Sequence, residues 1–208
     1  KTRLSLSGSN TDEVIQVRLL EKTSQASDEL RDLYSTKEAI LNNQLSFTSD
    51  CATLPGYTSA ESFIKNYPFV PYHFQIIQKV FETIRKTGFT GKHLSQGERS
   101  MLDAFQSSAI SLKDEGIGAL SPMYAFYSCI ESFLDTSVKR SIEQASENAT
   151  LKPFDIQLLQ ALFLIRHVNI IKPNIENLAT LCIDQVDADR ISLKKSIGES
   201  LDRLEHEH

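Results

Sequence analysis

Hydrophobic residues recur at helical spacing along most of the chain, and this pattern predicts a mainly α fold. A short alternating stretch at residues 2–7 (TRLSLS) predicts one strand. Two amphipathic helices are expected after it, over residues 8–23 and 27–45. The first is expected to bury a stripe made of Val14, Val17, Leu19 and Leu20. The turn-rich residues 48–60 predict a connector.

The middle of the chain contains the clearest amphipathic pattern. Pro71 suits the first turn of a helix, which would bury residues at helical spacing and end before Gly88. The stripe comprises Phe74, Ile77, Phe81 and Ile84. After a tight loop, Ser95 and Glu98 match a capping box at the start of the next helix. That helix is expected to bury Met101, Leu102, Phe105 and Ile110.

The last part of the chain predicts two groups of helices. A break at residues 115–120 precedes two helices over 121–134 and 135–149, and Pro153 then marks a boundary. Three helices follow, over 154–168, 174–183 and 189–208, in an order typical of a helix-turn-helix core. The last would bury one face made of Ile191, Ile197, Leu201 and Leu204. We therefore expect a helical domain over 1–150, with a strand at 2–7, and a second domain over 151–208.

Composition narrows the class of protein. The net charge is −5, 40% of residues are hydrophobic, and no apolar run is long enough for a membrane span. The three cysteines are odd in number and lack C-x-x-C spacing, which indicates reduced core thiols in a cytoplasmic protein. The lack of a long apolar run indicates that the membrane is not a partner. No catalytic triad, carboxylate pair or metal-ligand spacing is found, so we assign no catalytic or metal residue. The chain starts without methionine inside the predicted strand, so we expect a piece of a longer protein.

The sequence around Gly91 and Lys92 raises the question of phosphate binding. A P-loop requires G-x-x-x-x-G-K-[ST] after a buried strand. Here His93 follows Lys92, Lys86 occupies the position of the first glycine, and the preceding residues predict a helix. The motif is therefore not a nucleotide-binding P-loop.

Arg99 is a candidate for nucleotide sensing because of its place in the predicted helix. Residues 62–106 contain six Lys or Arg and three Asp or Glu, a local charge of +3 within a chain of −5. Arg99 lies in the first helical turn, where the helix dipole disfavours a cation. A phosphate contact would explain its place, with Lys92 nearby as a second cation. The alternative is a surface pair of Arg99 with Asp103 at i, i+4.

Several strings resemble one family. YPFVPYHFQIIQKVFETIRKTGFTGKHLSQGERSMLDAFQ at 67–106 is similar to a segment of the large P-loop ATPases of BREX-type phage-defence systems, the BrxC/PglY-like proteins. The stretches LSLSGSNTDEVIQVRLLEKT, SPMYAFYSCIESFLDTSVKR and LQALFLIRHVNIIKPNIENLATLCID also resemble that family, in the same order.

The resemblance implies an AAA+-type architecture in the parent protein. This chain would comprise the last core strand, a helical lid and a winged-helix domain without its wing. The resemblance implies that the parent protein hydrolyses ATP with Mg²⁺. The family's Walker motifs are missing from this chain, so the fragment itself would bind no cofactor and catalyse nothing. Arg99 would correspond to a lid arginine that reaches the terminal phosphate.

Three functions remain open for this chain. It is a regulatory lid and interaction module that contacts the ATPase core of its own chain and other defence proteins, a helical scaffold without nucleotide contact, or a DNA-binding module. For DNA, the candidate residues on the last helix are Arg190, Ser192, Lys194 and Lys195. Residues 151–208 contain seven Lys or Arg and nine Asp or Glu, a charge of −2. Since duplex binding depends on phosphate neutralisation, protein contact is favoured over DNA contact.

Overall fold

The computed structural model of the chain describes residues 8–87, 97–166 and 168–207. These residues form ten α-helices and no strand, which confirms the mainly α fold. The helices are α1 (Gly8–Val14), α2 (Ser24–Gln44), α3 (Ala60–Asn66), α4 (Tyr72–Thr87), α5 (Gly97–Ser111), α6 (Tyr127–Ile130), α7 (Thr136–Glu147), α8 (Pro153–Ile165), α9 (Ile175–Cys182) and α10 (Arg190–His206). The strand expected at residues 2–7 lies outside the described residues, as does the expected cap at Ser95.

Side-chain caps fix the starts of several helices. Thr23 accepts from the backbone N–H of Ala26 at 3.2 Å, and Asn174 accepts from that of Asn177 at 2.9 Å. The Asp189 carboxylate accepts from two N–H groups in the first turn of α10, those of Ile191 and Ser192. Each cap satisfies donors that the helix itself leaves unpaired.

A π-helical turn at Ile15–Leu19 shifts the register of the first amphipathic segment. The N–H of Leu20 donates to the carbonyl of Ile15 at 3.0 Å, a bond that spans five residues instead of four. Because the wider turn rotates the following side chains, Ile15 is fully buried whereas Val17 is exposed. The predicted stripe was wrong at Val17 for this reason.

One hydrophobic cluster extends from Ile15 to Leu204 and includes residues on both sides of position 150. The stripe predicted on α4 is confirmed, since its four apolar residues are all buried. Rings of α4 and α5 meet there, with Phe74 stacked on Phe105 at 4.5 Å between centroids. Helix α8 contacts α4, α7, α9 and α10 and so lies at the centre of the fold.

Two further differences from the predicted elements concern the segment 121–134 and two apolar side chains. The segment expected as one helix over 121–134 consists of the short α6 between 3₁₀ turns at Met123–Phe126 and Glu131–Phe133. Ile110 and Ile191 were expected in buried stripes, but both are exposed, Ile191 to 79%. Each lies near a helix end, Ile110 at the end of α5 and Ile191 at the start of α10.

An ion pair joins the start of α8 to α10. The carboxylate of Asp155 is fully buried and accepts from Arg203 through Nε at 2.8 Å and Nη2 at 2.7 Å. It also accepts from the backbone N–H of Lys152 at 2.8 Å. The hydrogen bonds from Arg203 first, and then that of Lys152, lower the pKa of Asp155 to about 2.

No helix of the described residues is both long and apolar enough to span a bilayer.

Candidate functional site

The structure places Arg99 on the surface of α5, in the first turn of the helix. Its side chain is 74% exposed, and its Nε lies 4.0 Å from Oδ2 of Asp103, one turn later. A pair this exposed contributes about 0.3–0.5 kcal/mol, so it holds the guanidinium only weakly. The proposed companion, Lys92, lies outside the described residues together with the loop 88–94.

The four polar residues predicted for DNA or partner contact lie at the start of α10, but they differ in their surroundings. Arg190 is only 16% exposed. Its Nη2 donates to the carbonyl of Glu176 at 2.9 Å, and its Nη1 donates to Thr180 Oγ1 at 3.1 Å and to the carbonyl of Gln44. The side chain therefore joins α10 to α9 and to the end of α2.

Lys194 has the same acidic partner as Arg190. Its Nζ donates to Oε1 of Glu176 at 2.8 Å, and Lys194 first and then Arg190 lower the pKa of that carboxyl. Ser192 donates to the capping carboxylate of Asp189 at 2.7 Å. Lys195, 80% exposed and 4.0 Å from Glu199, is the most accessible of the three basic residues. DNA contact through these residues stays a prediction, and it would require Arg190 and Lys194 to leave Glu176.

A cleft that the sequence did not indicate lies beside the π-helical turn. It encloses about 520 Å³ between that turn, the start of α2, Tyr67–Pro68 and residues 109–119. Lys22 lines it, and its Nζ donates to the carbonyl of Tyr67 at 2.7 Å. The Tyr67 hydroxyl in turn accepts from the N–H of Gly118 at 3.0 Å. Tyr67 therefore accepts hydrogen bonds at both its backbone carbonyl, from Lys22, and its ring hydroxyl, from Gly118.

The environment of Lys22 makes its amine a candidate nucleophile. Burial lowers the pKa of Lys22 to about 8. At neutral pH about a tenth of the amine is then unprotonated, far more than for an ordinary lysine. Lysines of this kind in clefts serve as bases or nucleophiles, and π-helical turns are frequent at functional sites. The string LLEKT alone contains no signal for this, because the desolvation arises from chain segments far away in sequence.

Gly118 lies between Ile117 and Ala119, two residues that line this cleft, and its backbone conformation favours glycine. Its φ is +104°, a backbone conformation that residues other than glycine rarely adopt. An added Cβ would also lie only 3.3 Å from Val186 Cγ2. The same residue accepts through its carbonyl from the N–H of Val186 at 2.9 Å. A neighbouring bond runs from the N–H of Leu120 to the carbonyl of Asp184 at 2.7 Å. Residues 118–120 and 184–186 thus form a small antiparallel clasp, with its bridge between Ala119 and Gln185.

The chain matches no known family model, and no solved structure gives a significant match. The resemblance to BREX-type ATPases therefore rests on the sequence strings quoted above.

Proposed function

We propose that this chain is the regulatory lid and interaction module of a larger AAA+-type ATPase of the BREX phage-defence kind. The observation that carries the proposal is the position of Arg99. Its guanidinium lies at the start of α5, is largely exposed, and forms a weak surface pair with Asp103 among the described residues. A cation so placed gains nothing from the helix dipole, whereas it is well placed to meet a phosphate on another domain.

In this proposal ATP and Mg²⁺ bind to the separate core of the parent protein. The described residues contribute Arg99, whose guanidinium would approach the terminal phosphate when lid and core close. Its planar donors would then stabilise negative charge that develops during phosphoryl transfer. The fragment alone would neither hydrolyse ATP nor bind it tightly, because its sequence lacks the phosphate-binding loop.

The experiment compares Arg99→Ala with Arg140→Ala in the parent ATPase. Arg140 is an exposed arginine on α7, so its replacement removes the same charge elsewhere. We expect Arg99→Ala to reduce ATP turnover at least tenfold, about 1.4 kcal/mol of transition-state stabilisation, and Arg140→Ala to leave it unchanged. Both variants should melt within a degree or two of the original, since exposed substitutions cost up to about 0.5 kcal/mol. Equal turnover in the two variants would remove Arg99 from the nucleotide site.

A second candidate function is a helical scaffold that docks other defence proteins without contacting nucleotide. The observation in its favour is a groove of about 640 Å³ along the end of α8, lined by partly exposed Leu159, Leu162 and Phe163. Apolar grooves of this kind are typical of protein contacts. The DNA-binding alternative has less support, because Arg190 and Lys194 are already paired with Glu176.

A further inference from the structure

Helix α8 has a second side-chain face besides the one that it buries in the core. The core face is formed by Leu158, Ala161, Leu164 and Ile165, which are all buried. The second face follows the spacing i, i+3, i+4 and i+7 and is formed by Leu159, Leu162, Phe163 and Arg166. Its three apolar residues are partly exposed, and Arg166 is exposed. Apolar residues at this spacing are typical of a helix face that packs against another element.

The second face is the floor of the groove of about 640 Å³ at the end of α8, which we call the α8 groove. Its other wall is the segment that follows the helix, from Val168 to Pro173. A smaller hollow of about 270 Å³ between α4, α7 and α8 is also lined by Phe163, Arg166 and Val168, so it adjoins the groove. Partly exposed apolar surface with polar residues at its rim is typical of an interaction site.

The charged residues that line the α8 groove are both cations, Arg166 and Lys172. Neither forms an ion pair within the part of the chain that the structure describes. The guanidinium carbon of Arg166 lies 6.0 Å from the ring centroid of Phe163, so this charge borders the apolar floor. In the adjoining hollow, the Asp135 carboxylate caps α7 by accepting from the N–H of Ser137 at 2.7 Å. A chain of net charge −5 thus presents two exposed cations beside an apolar groove.

We propose that the α8 groove binds an amphipathic helix of a partner protein that carries acidic residues beside its apolar stripe. The stripe would pack on Leu159, Leu162 and Phe163, and the carboxylates would meet Arg166 and Lys172. A basic helix would be repelled by both cations. A nucleic acid would leave the apolar floor uncovered and would find only two cations for its phosphates. This inference rests on the interaction role in the proposed function and adds the chemistry of the partner.

Three blocked peptides, each about four helical turns long, serve as probes. The first has Leu at i, i+3, i+4 and i+7 with Glu at the flanking positions, the second has Lys in place of each Glu, and the third is a scrambled form of the first. Fluorescence anisotropy measures their binding to the whole chain. We expect saturable binding of the acidic peptide with a Kd of roughly 100 μM, several-fold weaker binding of the basic peptide, and no saturation with the scrambled one. The preference for the acidic peptide should disappear near 1 M salt, where the Debye length is about 3 Å.

Variants test whether the named residues form the site. The double variant Arg166→Glu, Lys172→Glu should reverse the preference, so that the basic peptide binds more tightly. Lys113→Glu changes an exposed lysine after α5, outside the groove, and should leave the preference unchanged. Leu162→Gln should weaken binding of the acidic peptide about tenfold, because it removes apolar contact area from the floor. The double variant changes only exposed residues, so the test holds even if Leu162→Gln fails to fold.

Several results would overturn the proposal. They are equal binding of the acidic peptide and either other peptide by the original chain, or an unchanged preference in the double variant. A second copy of the chain is the competing occupant. Sedimentation equilibrium would assign the groove to it if a dimer forms that Leu162→Gln abolishes and the acidic peptide does not dissociate.

The peptide test involves no nucleotide, so its failure is distinguishable from that of the proposed function. If the peptides fail while Arg99→Ala reduces turnover in the parent, the partner chemistry is wrong and the lid role stands. If turnover is unchanged while the acidic peptide binds as expected, the nucleotide role is removed and the scaffold role is supported.

Discussion

His73 shows how a single buried residue can make stability depend on pH. The imidazole is 1% exposed among Phe69, Tyr72 and Phe126, and its Nδ1 accepts from the N–H of Val70 at 3.1 Å. Its Nε2 has no partner among the described residues. Burial lowers the pKa of His73 to about 3, so the folded chain holds the ring neutral.

We predict that the free energy of unfolding falls as the pH drops below 6.5. The unfolded chain takes up a proton on His73 near pH 6.5, whereas the folded chain does so only near pH 3. Unfolding is therefore favoured by about 1.4 kcal/mol per pH unit between roughly pH 6 and 4. Urea unfolding at pH 7, 6, 5 and 4.5 measures the slope. His73→Asn, which keeps an acceptor for Val70, should flatten it, and an unchanged slope in that variant would assign the effect to other groups.

Lys22 is expected to react with acylating reagents faster than the surface lysines. Its pKa of about 8 leaves far more free amine at pH 7 than an ordinary lysine has. With limiting N-hydroxysuccinimide acetate, we expect acetylation of Lys22 at least about tenfold faster than that of Lys195, the exposed reference. Peptide mass spectrometry gives both rates in one sample. A rate for Lys22 equal to or below that of Lys195 would mean that its amine is protonated or shielded.

At the scale of single elements, the long periodic helices and the short α9 could be predicted from the sequence, whereas α3 could not. Helices α2 and α4 follow hydrophobic patterns several turns long, so the sequence determines them locally. Helix α3 has only seven residues after a turn-rich connector, and no helix was predicted there. The π-helical turn was equally hidden, because a single extra residue per turn leaves the apolar content unchanged.

The candidate sites were less predictable than the helices, for a related reason. Arg190 was named from the sequence as a candidate for DNA or partner contact, but its hydrogen-bond partner Gln44 lies 146 residues away in sequence. Only the folded structure shows that the Arg190 guanidinium donates a hydrogen bond to the carbonyl of Gln44. The same holds for Lys22, whose lowered pKa comes from burial and not from the residues next to it in sequence.

The ion pair between Asp155 and Arg203 is the main polar link between two elements, α8 and α10. We predict that Asp155→Asn lowers the free energy of unfolding by about 2–4 kcal/mol, because it leaves Arg203 without its buried partner. Glu199→Gln, which removes a surface pair with Lys195, is the control and should cost under about 0.5 kcal/mol. Urea unfolding followed by circular dichroism compares the two. Equal effects would show that the buried pair contributes no more than the exposed one.

The whole molecule raises the question of whether the predicted boundary at residue 150 separates two units. Buried residues on both sides of that position belong to one hydrophobic cluster, and α8 contacts helices from both. The Tyr72 hydroxyl, for example, donates to the carbonyl of Thr180 at 3.1 Å. The boundary itself stays a prediction.

Leu158→Ala provides the test at this scale. Leu158 is fully buried on α8, so the cavity should cost about 2–5 kcal/mol. If the chain folds as one unit, NMR signals of α2 and of α10 should disappear at the same urea concentration in this variant. Earlier loss of α10 alone would support a separate domain over 151–208.

The clasp between residues 118–120 and 184–186 has a consequence for synthesis on the ribosome. Its two sides lie 66 residues apart, from Ala119 to Gln185. At roughly 5–20 residues per second, the second side follows the first by about 3–13 s. For that interval the nascent chain exposes apolar surface that α8 and α9 later cover. Chaperones that bind nascent polypeptides therefore have a defined period in which to engage this protein.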